Sequence, residues 1–227
     1  MAYEEDEVVE NLKLWWKKNG TALMLLVAVG LFSFAGWRYW QTSQAEAATQ
    51  AQNLQQAMQI AAQRLNTDPN DKDTVAEVTR LGEQLIADYS GTPYAQDAAM
   101  LLAKVAVNSN DLAKAISLLQ GVVADSSDDV EVALAQTRLA RVQAANADYD
   151  AALSTLAAVR DASLAPLVSE IKGDIFMLQA MPAEAKAAYQ AADAALAARN
   201  EVRPLLELKL ADVGLEPAPR APLALEQ

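Results

Sequence analysis

Neither histidine nor cysteine occurs among the 227 residues of this chain. Its reactive side chains are therefore hydroxyls, amines and carboxylates. A His-based triad, a thiol nucleophile and the usual zinc sites cannot be assembled from them. Two spacings still suggest chemistry. Ser169-Glu170-Ile171-Lys172 sets a hydroxyl and an amine close together on a helix, the Ser-x-x-Lys arrangement of penicillin-binding enzymes. Those enzymes also need Ser-Asp-Asn and Lys-Thr-Gly elements, which the chain lacks, so the pair reads as a chance spacing. Asp125, Asp128, Asp129 and Glu131 gather carboxylates that would attract a divalent cation. The glycine and ligand spacing of a calcium loop are missing, so a solvated turn is expected there. No catalytic residue, metal site or cofactor is expected. A net charge of −12 repels nucleic acid and anionic lipid headgroups.

The elements that would carry a binding function begin with an anchor. Gly20 to Gly36 contains no charge. At 1.5 Å per residue it covers roughly 26 Å, and extension to Trp40 reaches about the 30 Å hydrocarbon thickness. Trp15, Trp16, Lys17 and Lys18 precede it, and Trp37, Arg38, Tyr39 and Trp40 follow. Indole and phenol rings settle at headgroup level, apolar body inward and polar tip wet, so these eight residues are the expected contacts with membrane lipid. A cleaved signal peptide would start basic and end in a small-x-small site. Here the start is acidic (Glu4, Glu5, Asp6, Glu7, Glu10), and the nearest Ala-x-Ala, at Ala45 and Ala47, lies beyond the aromatic belt. Lys13, Lys17 and Lys18 outweigh Arg38, which places the N-terminus in the cytoplasm and the rest of the chain outside it.

Beyond the anchor the expected class is all-α. Ala47, Ala51, Leu54, Met58, Ala61 and Leu65 form one helical face, continuous in pattern with the span. A second helix carries Val75, Val78, Leu81 and Leu85, and Thr92-Pro93 signals a helix start. Helix pairs then recur at Pro93–Val107 with Asp111–Val123, Val130–Ala145 with Tyr149–Val159, and Leu164–Ala180 with Pro182–Ala197. The second helices are expected after Asn110, Asp148 and Met181, the first two being good caps. Ala103, Ala140 and Gly173 mark the first helices, and Ala115, Ala152 and Ala185 mark the second. Small residues at a period near 34, where paired helices cross, resemble the tetratricopeptide repeat. The predicted organisation is an arm (1–19), a transmembrane helix (20–40), two connecting helices (41–90) and three repeats (91–200). A cap helix (201–215) and a disordered Pro-rich tail (216–227) follow.

Trp15-Trp16-Lys17-Lys18-Asn19-Gly20, the single span and Gly36-Trp37-Arg38-Tyr39-Trp40 resemble the ancillary SecYEG translocon subunit family of Gram-negative bacteria, the YfgM type. Arg138-Leu139-Ala140-Arg141-Val142-Gln143, Asp150-Ala151-Ala152-Leu153 and Lys172-Gly173-Asp174 are similar to that family's repeats. The resemblance implies an inner-membrane protein with a periplasmic repeat domain and no catalytic activity. It also implies association with the SecYEG channel and with a membrane-anchored chaperone of the peptidyl-prolyl isomerase type, PpiD. An anchored scaffold for envelope assembly or division is the alternative. Stacked repeats line a concave surface with their first helices. The repeat's groove positions fall here on Asp97, Met100, Lys104 and Asn108, then Leu134, Thr137 and Arg141, then Leu167, Glu170, Asp174 and Met177. The competing expectation is that the long first helix fills the groove.

Overall fold

A computed structural model describes residues 2–68 and 71–219. They form nine α-helices and one 3₁₀ turn, with no strand among the described residues. The helices are α1 (Ala2–Thr67), α2 (Lys72–Asp88), α3 (Pro93–Asn108), α4 (Leu112–Asp125) and α5 (Asp129–Ala145). Then come α6 (Tyr149–Ala157), the 3₁₀ turn Ala162–Leu164, α7 (Ala165–Leu178), α8 (Pro182–Ala197) and α9 (Pro204–Asp212). The chain divides into two compact units, residues 1–53 and 54–227.

In the first unit, α1 carries the apolar run with its side chains turned outward. Leu25, Leu26, Val29, Leu31 and Phe32 are all exposed. A helix satisfies its own backbone groups, which is the condition for standing in hydrocarbon, and this is a segment long and apolar enough to cross a membrane. The interior of α1 contains no proline, and Gly30 and Gly36 meet nothing that an added Cβ would strike.

The second unit is a stack of helix pairs. Ala103, Ala106, Ala115, Leu119 and Leu139 bury the junction of α3, α4 and α5. Ala140, Ala152, Leu156, Ile171 and Ile175 repeat the arrangement for α5, α6 and α7. Ala185, Tyr189, Leu196, Leu206 and Leu210 close the series with α8 and α9. The small residues read from the sequence spacing lie at these crossings; Ala115, Ala140, Ala152 and Ala185 are fully buried. Neighbouring backbones approach closely because no larger side chain stands between them.

The turns within the pairs differ from expectation at both of the predicted caps. Asn110 is not the cap of α4: it takes a left-handed φ of 58°, and the Asp111 carboxylate caps Lys114 N–H at 3.0 Å. Asp148 precedes α6 without capping it, and accepts instead from the Asn146 side chain. Ala147 and Ala180 occupy the same left-handed position, at φ 63° and 57°. In all three turns the next N–H reaches back five residues, as in Asp111 to Ala106, Asp148 to Gln143 and Met181 to Phe176. This is the Schellman ending, which glycine favours. A Cβ in the left-handed region costs about 1–2 kcal/mol, partly offset by glycine's greater unfolded entropy. Ala147→Gly and Ala180→Gly together should therefore stabilise the protein by about 1 kcal/mol, or raise its melting temperature by roughly 2–4 °C. A thermal scan reads the shift, and a lower melting temperature would contradict the turn geometry.

Of the tail expected over 216–227, only residues 216–219 lie among those described. There Ala218 N–H donates to the buried Asp193 carboxylate at 2.5 Å. Pro69 and Asn70, between α1 and α2, also lie outside the described residues.

Candidate functional site

Two regions can bind something. In the first unit, Trp15, Trp16, Lys17 and Lys18 are exposed at one end of the apolar run, and Trp37, Arg38, Tyr39 and Trp40 at the other. Trp16 lies flat enough over Gly20 that a Cβ there would meet the indole at 3.2 Å. Phe34 and Trp37 stand with ring centroids 6.4 Å apart. Asn19, Thr42 and Ser43 fold their side chains back onto the helix carbonyls of Trp15, Arg38 and Trp40, as polar groups beside hydrocarbon must. Both clusters have the composition of headgroup-level belts.

In the second unit, a cavity of about 630 Å³ opens between the last turns of α1 and the first helices of two repeats, α3 and α5. Its apolar walls are Met58, Met100, Leu101, Val107 and Val142. Asp97 and Lys104 come from α3, and Arg138 and Arg141 from α5, separated by one turn so that they share a face. Among the described residues each charge has only a neutral partner or none. Gln55 donates to Asp97 at 2.8 Å, Lys104 to Asn66 at 3.3 Å, and an Arg138 nitrogen lies 3.4 Å from the Met100 sulfur. Arg141 has no hydrogen bond or ion pair among the described residues.

Five of the groove positions expected from the repeat pattern, Asp97, Met100, Lys104, Asn108 and Arg141, thus line one cavity. The others do not. Thr137 is buried and returns its hydroxyl to the Leu134 carbonyl at 2.8 Å. Leu167 packs into the core of α5, α6 and α7. Met177 is exposed, but lies outside the cavity lining. Glu170 and Asp174 require a correction: no open groove faces them, because α9 lies there. Lys209 of α9 reaches Glu170 at 2.8 Å and Asp174 at 2.7 Å, while Arg203 stands 2.8 Å from the second Glu170 oxygen. Tyr189 donates to Asp174 at 2.8 Å, and burial, then that carboxylate, holds its phenol well above the ordinary tyrosine range. Tyr189 is therefore a fixed donor at any physiological pH. This is a structural knot.

Sequence reading missed Arg138, although it stands three residues before Arg141 on the same face. It placed Met58 on an apolar helix face but gave no sign that Gln55, Met58 and Gln59 would form a cavity wall. The α1 helix contributes to that wall and leaves the cavity open. Ser169 and Lys172 lie half-buried on α7, with no hydrogen bond between them among the described residues.

A tetratricopeptide repeat-like domain family matches residues 13–215. A Haemophilus influenzae protein named "Ancillary SecYEG translocon subunit" is 32% identical over 85% of this chain and 91% of its own length. The protein of the same name from Escherichia coli is 32% identical over 82% and 86%, and that of Neisseria gonorrhoeae 27% over 91% and 96%. The family match covers the apolar run of α1 as well as the repeats.

Proposed function

This chain belongs to the ancillary SecYEG translocon subunit family, and we propose that it works as a non-catalytic accessory of the Sec channel in the bacterial inner membrane. The observation carrying this reading is the joining of an apolar helix with a repeat domain, in a chain that matches 86–96% of the relatives' own length. The span confines the protein to the membrane that holds the channel. Its aromatic and basic belts rest in lipid headgroups, with the N-terminus cytoplasmic by the positive-inside rule. The repeats then lie on the periplasmic side, where a chaperone of the peptidyl-prolyl isomerase type, PpiD, is the fitting partner. Tethering such a chaperone beside the exit raises its effective concentration near emerging chains, to about mM for short links. No bond need be made or broken.

The orientation has a direct test. A reporter active only outside the cytoplasm, fused after Gln227, should be active, and the mature chain should retain Trp15 and Trp16. Activity from a cytoplasm-only reporter at the same junction would overturn the periplasmic placement.

A further inference from the structure

We propose that the cavity between the end of α1 and helices α3 and α5 receives an extended peptide segment bearing carboxylates on either side of an apolar side chain. This deepens the reading that the repeats hold a protein partner, and rests on it.

The charge of the cavity is opposite to that of the chain. The protein carries −12 overall, yet Lys104, Arg138 and Arg141 line this cavity with Asp97 as the one carboxylate among its lining residues. Among the described residues no ion pair neutralises the excess. The Lys104 amine rests on a neutral amide, Arg138 on a thioether sulfur, and Arg141 on nothing among the described residues. Lys114, by contrast, pairs with Glu83 at 2.8 Å. An incoming carboxylate can accept two parallel N–H bonds from a guanidinium, which a point charge cannot.

The floor supplies the other half of the recognition. Met58 and Met100 face the space together, and methionine is flexible enough to adapt to different apolar side chains. Gln59 and Asn108 line the cavity with side-chain amides that make no hydrogen bond among the described residues. An amide both donates and accepts, which matches a peptide backbone and gives an acyl chain nothing. These amides favour a peptide over an anionic lipid.

The test uses the full chain in a nonionic detergent and a fluorescein-labelled peptide with a central Glu-Leu-Glu, read by anisotropy. Wild type should bind it about tenfold or more tightly than the Gln-Leu-Gln and Glu-Ser-Glu versions, with affinity falling as salt rises. The pair Arg138→Gln and Arg141→Gln should weaken binding about tenfold or more, whereas Arg160→Gln, outside the cavity, should not. Equal binding of the Glu and Gln peptides by wild type would overturn the proposal without any variant. So would displacement of the peptide by short-chain phosphatidylglycerol with no peptide preference, which would mark a lipid site. Recovery of the channel with the same double variant separates the two levels. Channel retained with no peptide discrimination sinks the cavity proposal alone, whereas a wild-type protein that recovers no channel sinks the accessory role itself.

Discussion

Replacing Lys209 by Met should lower the melting temperature of the protein by roughly 6–12 °C. Glu170 is almost fully buried, and its charge is tolerated because Lys209 and Arg203 each lie 2.8 Å from one of its oxygens. Removing one partner from a buried pair costs about 3–5 kcal/mol, since the remaining charge keeps its desolvation penalty and loses its compensation. Arg203 stays behind, which sets the loss near the lower figure of about 3 kcal/mol. Asp174 loses the same ammonium but is half-exposed and keeps the Tyr189 hydroxyl. Adding Glu170→Gln to Lys209→Met should restore much of the stability, because the orphaned charge disappears. The ion pairs tie only α7 to α9 and the Arg203 before it, so most helicity should remain. An unchanged melting temperature for Lys209→Met would mean that α9 does not close the stack.

Gly173→Ala should destabilise the protein by about 2 kcal/mol although alanine is the better helix former. A Cβ at Gly173 would fall inside the van der Waals surface of the Tyr189 ring. That ring is buried and anchored at its far end by the bond to Asp174, with Lys209 Nζ 6.0 Å from its centroid. It cannot turn aside without breaking those contacts. The control is Gly121→Ala on α4, where nothing lies within 4 Å of the added Cβ. There the gain in helix propensity, up to about 1 kcal/mol, should appear undiminished. One substitution in two helices thus carries opposite signs. Denaturant unfolding measures both, and stabilisation at Gly173 would put the crossing of α7 and α8 elsewhere.

These contrasts show which features could be read from sequence. The span and the repeat register are local and periodic: an uncharged run between aromatic belts, and small residues returning at nearly fixed intervals. Pro182–Ala197 agrees with α8 end for end for that reason. The cap at Asp111 was misread by one residue because asparagine suits both an N-cap and a left-handed turn, and the turn won. The groove was harder. Counting positions along each first helix treats every repeat as open, and only the neighbouring element decides whether it is. At α7 the neighbour is α9, whose Lys209 lies 39 residues from Glu170 in sequence. At α3 and α5 the neighbour is the end of α1, which supplies Gln55 and Met58 as a wall. Both are long-range packing outcomes, and neither leaves a mark on the spacing of the helix it covers.

The central claim is that this protein is an accessory of the Sec channel, and in-membrane crosslinking tests it most directly. A photoreactive amino acid is placed in turn at Leu26 and Phe34, both exposed on the apolar run of α1, and at Asn108 in the cavity of the second unit. Native membranes are irradiated, the protein is captured in detergent, and the joined partners are identified. Membership of the channel complex predicts adducts with SecYEG subunits from the span, persisting in the Arg138→Gln and Arg141→Gln variant, and adducts with a periplasmic chaperone from Asn108. Recovery of other inner-membrane proteins from every position, with no SecYEG subunit among them, would contradict it.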